Sequence, residues 1–475
     1  MPDPLELEDL QGLVVSSYAH LPCAAYRVLR VTERSLALAW LAARTSKVTA
    51  SVAKNDEWSW NIAFTLEGLA ALGIAEEARA RFPLAMQDGG MASARRSRVL
   101  GDFGSQAPSQ WQWGGPDTPP AHVLVLYYAR DETELERQLA IDMTGNESGL
   151  VEVVTLRGGR EPDSKEHFGF LDGVGQPVVE GSGRLQTQLA RTRHATVVAA
   201  GEFVLGYLNS DQALPISPTI DASADPGQLL QPVPGARGRH DLGRNGTYMV
   251  FRQLKQDVAG FWRDVRSEAE RLWPHDPVAA TRLASKMVGR WPSGAALVLY
   301  PDADPFGGVP QQQTENDFAY DATDPFGRRC PVGAHIRRAN PRDSLGPDPE
   351  SARASANRHR LLRRGRSYGP RAIDPTQEDG IERGLHFICL NADLERQFEL
   401  VQQTWLANPA FGGLAAETDP LTTDGERSSL MFSIPRDPIR LRARRARSYV
   451  TMVGGAYWFL PGISALRWIS SSKGE

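Results

Sequence analysis

Runs of apolar residues broken by turn-forming sequence mark out the regular elements of this chain. Continuous or alternating apolar stretches at His122–Tyr128, Leu150–Leu156, Ala296–Tyr300, Leu385–Leu390 and Tyr449–Val453 predict buried or half-buried strands. Between them, apolar positions recur at helical spacing over Ser35–Thr45, Ala63–Leu72, Val258–Leu272 and Leu394–Trp405, which predicts helices that pack by one face. Both kinds of element occur in both halves. Pro215–Asn245 and Pro301–Gly327, rich in charge, glycine and proline, read as long surface loops because strand-like sequence resumes after each. The pattern is that of an α+β protein with two sheets.

A chain of 475 residues exceeds the size at which a single core usually stops growing, so two packed units are expected. The division is placed between Arg160 and Ala200, giving an N-terminal unit 1–195 and a C-terminal unit 196–475. The longest uncharged stretch, Ser448–Leu466, contains Gly454, Gly455, Pro461 and Gly462 and reads as a buried strand plus a terminal segment rather than a membrane span. Hydrophobic residues at 41% and charged residues at 23% are the composition of a globular protein, not of a disordered one.

The formal charge of −4 gives no global attraction to nucleic acid or anionic lipid, so small-molecule partners are favoured and neither nucleic acid nor membrane is expected. The basic run Arg440–Arg447 is the one feature that would suit a nucleic-acid-binding module, and the acidic balance argues for a solvated face instead. Cys23, Cys330 and Cys389 are widely spaced, which suggests neither a disulfide framework nor a zinc knuckle and fits a reducing compartment. The acidic start, Met1–Glu8, shows no export signal, so a cytoplasmic location is expected.

Two segments carry the candidate chemistry. In His167-Phe168-Gly169-Phe170-Leu171-Asp172-Gly173, a carboxylate sits among apolar residues and glycines. That is equally the sequence of a turn or Asx cap and of a desolvated acid–base group whose pKa is raised and whose backbone can approach a flat cofactor. His167 is a second candidate base. Downstream, Cys330-Pro331-Val332-Gly333-Ala334-His335-Ile336-Arg337-Arg338-Ala339-Asn340-Pro341-Arg342 places a histidine after two small residues and before a basic run. Imidazole suits haem iron as an axial ligand, and guanidinium groups suit haem propionates. Cys330 is a possible thiolate ligand by type, but a Cys-Pro dipeptide is a weak signal and cysteine is also a small buried hydrophobe.

Together these segments resemble the signature of the dye-decolourising (DyP-type) haem peroxidases, a GxxDG loop followed by a histidine in an HIRxxxPR context. Leu10-Gln11-Gly12, Phe64–Leu69, Ala200–Tyr207 and Gly246–Leu254 also look like family segments, so the resemblance runs nearly end to end. It implies two ferredoxin-like α+β domains, haem b held mainly by the C-terminal one with His335 as proximal iron ligand, and Asp172 above the iron as proton shuttle. It also places Arg363, in Arg363-Arg364-Gly365-Arg366-Ser367-Tyr368-Gly369, on the distal side, with Arg360 and Arg364 as the alternatives. Arg337 is assigned to the haem, Asp419 to the second ring nitrogen of His335, and Leu385 and Phe387 to the dry wall, where strand alternation turns His386 the other way. The implied activity is oxidation of bulky phenolic or dye-like reductants by hydrogen peroxide, with an acidic optimum. A haem carrier or haem-iron-releasing (deferrochelatase-like) protein is the alternative.

Overall fold

The computed structural model describes residues 4–472 except 54, 143–145, 191, 193, 312–313, 423–430 and 445–446, so Arg445 of the basic run lies outside the described residues. Two βαββαβ units follow one another. The first is β1 (Cys23–Val31), helix α1 (Arg34–Arg44), β2 (Trp58–Phe64), helix α2 (Ala94–Leu100), β3 (Val123–Ala129), helix α3 (Glu132–Ile141) and β4 (Leu150–Gly159). Its antiparallel sheet runs β4-β1-β3-β2. The second comprises β5 (Thr247–Gln256), helices α4 (Val258–Leu272) and α5 (Ala279–Val288), then α6 (His335–Ala339), the short β6 (Leu362–Arg363) and β7 (Arg366–Tyr368), β8 (Gly384–Asn391), the hairpin β9 (Met431–Ile434) with β10 (Leu441–Arg444), β11 (Val450–Leu460) and α7 (Ile463–Ser471). Its sheet runs β11-β5-β8 with β6 and β7 along the far side of β8. Both orders are the ferredoxin-like one, as the resemblance implies.

Local chemistry fixes where the helices start. Glu33 accepts from Ser35 and Leu36 N–H, Asp131 from Glu134 N–H and Asp257 from Gly260 N–H, each satisfying a donor at a helix start that has no partner within the helix. Alternation then sorts the strands. Tyr26, Tyr128, Phe251, Ile388 and Trp458 face the space enclosed between the two sheets, whereas Val125, Tyr127, Val250 and Phe459 face outward onto the helices.

The two sheets meet at both sides through single residue pairs, Phe459 with Phe64 and Ser367 with Gly159, which closes the strands into a ring. Gln11 completes one junction. Its amide nitrogen donates to Ile62 O and to Pro461 O, each at 2.9 Å, and its oxygen accepts from Ile62 N–H at 2.9 Å, so one side chain serves where a neighbouring strand would.

Three expected elements differ. Ala296–Tyr300 is largely buried but is a turn, with Leu299 and Tyr300 N–H both donating to Ala296 O; its apolar run records burial against Trp291 and Cys330, and among the described residues it pairs only through the single bridge of Ala296 to Arg290. Ala63 and Phe64 end β2, and the helix that follows occupies only Leu66–Ala71, begun by the Thr65 side chain accepting from Gly68 N–H. Leu394–Trp405 is helical but wound with π-type bonding over Glu395–Glu399 and Val401–Leu406. No helix among the described residues is long and apolar enough to cross a membrane.

Candidate active site

A cavity of about 320 Å³ lies on the outer face of the second sheet, and Asp172, His335, Arg363, Leu385 and Phe387 all line it. Asp172 arrives on the loop between the units. The loop is shaped by Glu166, a half-buried carboxylate that accepts from Phe168 N–H (2.8 Å), Phe170 N–H (3.0 Å) and the Gln256 side chain (3.0 Å). Gly169 and Gly173 flank the turn at φ of +94° and +84°, a backbone region that side chains disfavour.

Arg363 comes from the opposite direction on β6, and its Nη1 donates to Asp172 Oδ1 at 2.8 Å. Gly173 N–H donates to the same oxygen at 2.6 Å. Burial alone would push the Asp172 carboxyl upward; the Arg363 charge and these two hydrogen bonds outweigh it and hold the group below its ordinary value. The expected upward shift is therefore corrected in sign, because the desolvated carboxylate has a charged partner. Neighbouring arginines are sorted by strand alternation. Arg364 turns away and donates to Leu13 O (2.7 Å) and Val14 O (2.8 Å), while Arg360 donates to Gly175 O beside the Asp172 loop. His167, the second candidate base, is held outside the cavity by Tyr368 O at 2.8 Å.

His335 opens α6, and its Nδ1 meets Asp419 Oδ2 at 2.8 Å. Asp419 is fully buried; its other oxygen accepts from Leu421 N–H, Thr422 N–H and the Thr422 hydroxyl, each at 2.9 Å. Burial pushes the carboxyl up, but the His335 charge and hydrogen bond, with Arg338 nearby, bring it down to about 2. His335 itself is driven down by burial and raised on balance by Asp419; the charges of Arg363 and Asp172 also reach it across the cavity. When the ring is neutral with its proton on Nδ1, donated to Asp419, Nε2 presents a lone pair to the cavity.

Arg337 is a correction. Its guanidinium is buried away from the cavity, donating to Asp324 Oδ2 (3.2 Å), Asp324 O (3.0 Å) and Cys330 O (2.7 Å) and stacking over Tyr320, because α6 is a single turn whose second residue after His335 faces the 320–330 loop. Arg338, to which the spacing gives no special place, clamps the segment under α6 through Trp405 O (2.8 Å), Asn408 O (3.0 Å) and Glu417 O. Besides Arg363 and Arg252, the arginines that reach the cavity are Arg290, Arg342 and Arg360. Their hydrogen bonds end on carbonyl or amide oxygens of Gly294, Glu315, Asn316, Phe318 and Gly175, and none forms an ion pair among the described residues. Burial, with Arg342 close to both, lowers Arg290 to about 10 and Arg360 to about 9. The basic residues of the HIRRANPR string thus divide into buried struts and cavity cations, a distinction that one-dimensional spacing does not encode. Leu385 and Phe387 form the wall from β8, and His386 points into the enclosed space, as alternation requires. Cys330 is buried outside the cavity, and burial raises its thiol to about 12.

This arrangement, a carboxylate–guanidinium pair facing a carboxylate-backed imidazole, sits on a fold shared with known proteins. No family model matches the chain. It is 29% identical over 430 residues to the multifunctional dye peroxidase DyP2 of an Amycolatopsis species, covering 86% of this chain and 81% of the relative. It is 28% identical to the dye-decolorizing peroxidase of Exidia glandulosa over 97% of this chain and 86% of that one. Over most of its length the chain is similar to dye-decolourising peroxidases. It is accordingly a peroxidase enzyme. The DyP-type peroxidase of Auricularia auricula-judae superposes with a TM-score of 0.77 over 99% of this chain at 24% identity, showing the same fold. A deferrochelatase of Yersinia pestis matches at 28% over 153 residues, 32% of this chain and 24% of that protein.

Proposed function

We propose that this peroxidase is haem-dependent and uses hydrogen peroxide to oxidise bulky phenolic or dye-like organic substrates, with His335 as proximal iron ligand and Asp172 and Arg363 on the distal side. The observation that carries the reading is that the Asp172–Arg363 pair and His335, backed by Asp419, line one cavity. The residues fit haem b. Nε2 of His335 is free to ligate iron, Leu385 and Phe387 offer an apolar wall, and the cavity cations Arg342, Arg360 and Arg290 suit two propionates better than Arg337 does. When bound, haem supplies the electrons that cleave the peroxide O–O bond and takes them back one at a time from organic donors.

The chain's own residues handle the proton and the charge. Asp172, kept ionised by Arg363, accepts a proton from one peroxide oxygen and delivers it to the other, so that the leaving group is water. Arg363 stabilises the negative charge that builds on peroxide before that proton arrives. Because Asp172 stays a base at low pH, activity should extend into acid, in keeping with an acidic optimum. Asp419 fixes the ring orientation of His335 and strengthens it as a donor.

The division near residue 195 belongs to this reading too, since it falls in the segment joining the two ferredoxin-like sheets. A reducing cytoplasmic setting fits three cysteines that are all free. Haem carriage or iron release, suggested by the short deferrochelatase match, is the second reading. Haemin titration of wild type and His335→Ala, followed by stopped-flow mixing with peroxide, is the test. Loss of the Soret band in the variant with fast peroxide reaction in wild type supports the proposal; a fast reaction unchanged in Asp172→Asn would remove Asp172 from it.

A further inference from the structure

A second cavity, of about 540 Å³, abuts the first. Gln106, Arg252, Gln402 and Thr422 line both, so the partition between the two is one side chain thick. That partition is braced. Arg252 and Asp102, 5% and 2% exposed, pair through two hydrogen bonds, one of them Nη1 to Oδ2 at 3.1 Å. Gln402 Nε2 donates to Leu100 O at 3.2 Å, and Thr422 is tied to Asp419. Bonds of this kind hold a wall in place without sealing it to an electron.

The chamber side has its own chemistry. Arg252 neutralises Asp102, so neither contributes net charge, and the remaining lining charge is Arg98 on α2. Arg98 is exposed at the mouth, and its side chain makes no ion pair or hydrogen bond among the described residues. Around it stand the amides of Gln403 and Asn408, the hydroxyls of Thr404 and Thr418, and the flat apolar faces of Phe103 and Pro409. A single cation at the rim, an apolar surface and hydrogen-bonding groups around them match a small planar molecule with a carboxylate at one end and a hydroxyl at the other.

We propose that this chamber binds small phenolic carboxylates as electron donors, separately from the cavity that takes peroxide; this rests on the peroxidase reading above. Each donor loses one electron across the partition and releases its phenol proton to solvent through the mouth. Two donors therefore balance one peroxide: two phenols and H₂O₂ give two phenoxyl radicals and two waters. The test is calorimetric titration of 4-hydroxybenzoate into the haemin-loaded protein without peroxide, for wild type, Thr404→Trp, which fills the mouth, and Arg98→Glu. Binding weakened at least about tenfold in both variants is expected, with 4-hydroxybenzyl alcohol binding wild type more weakly and indifferent to Arg98→Glu. No binding to wild type, equal binding in either variant, or equal affinity for the alcohol overturns the proposal. Because binding is read without turnover, that outcome holds even if the chain fails to react with peroxide, which would sink the peroxidase reading instead.

Discussion

Replacing His386 by phenylalanine should alter how the fold responds to acid. His386 is 1% exposed, stacked on Tyr368 at 4.7 Å and edge-on to Tyr26 and Phe251, and its Nδ1 has no hydrogen-bond partner. Burial there lowers its pKa from 6.5 to about 3. A histidine whose folded pKa is depressed stabilises the fold fully above its unfolded pKa. As pH falls below about 6.5 the unfolded chain binds a proton that the folded one refuses, and stability drops by about 1.4 kcal/mol per pH unit until the folded pKa is reached. At pH 4 the accumulated loss is about 3 kcal/mol, a large part of the stability of an ordinary domain. Phenylalanine cannot take the proton, so the difference in unfolding free energy between wild type and His386→Phe should shift in favour of the variant across pH 6 to 4, whatever the packing cost at pH 7. Urea unfolding followed by tryptophan fluorescence at each pH measures this. Parallel stability curves for the two proteins would refute the reasoning. The matter bears on function, since β8 carries Leu385 and Phe387 on its other face, and acid that loosens the strand removes the cavity wall.

Arg363→Leu should move the acid limb of the kcat/KM profile for peroxide to higher pH, because Asp172 loses the charge that lowers its pKa while its desolvation remains; an unmoved limb would break the assigned coupling. Asp419→Asn should raise the iron midpoint potential in spectroelectrochemical titration of the haemin-loaded protein, since an amide supports the axial imidazole less than a carboxylate does. Arg360→Met should weaken haemin affinity by roughly ten- to a hundredfold, whereas Arg337→Met should leave that affinity nearly unchanged and lower the melting temperature; the reverse ranking would reinstate Arg337 at the cofactor. Arg338→Met should cost about 3 kcal/mol or more in urea unfolding, because carbonyls from Trp405 to Glu417 lose a common buried donor.

Much of the second sheet and its site was legible because it follows local rules. Alternation along β8 sends Leu385 and Phe387 to one face and His386 to the other whatever they pack against. What was illegible depends on distant partners. The apolar surroundings of Asp172 were foreseeable from its neighbours, but the sign of its pKa shift was set by Arg363, 191 positions away. Arg337 and Arg338 follow His335 in a single turn, and their direction is fixed by Asp324 and by the 405–417 segment, neither of which the motif contains. Ala296–Tyr300 read as a strand because a short apolar run reports burial alone, and a strand needs a neighbour to bond.

The amide of Gln11 bonds to residues 62 and 461, and this sets a timetable for synthesis. The first sheet contains only residues up to Gly159 and can assemble once they leave the ribosome, but the Gln11 bond to Pro461 spans 450 positions. At ordinary elongation rates the roughly 300 residues between Gly159 and Pro461 take on the order of tens of seconds to emerge. Throughout that interval the junction edge of β2 stands half-made and open to a wrong partner. The last strand of the chain is therefore also the lock of the first sheet, and a ribosome that stalls late releases a protein whose ring has never closed.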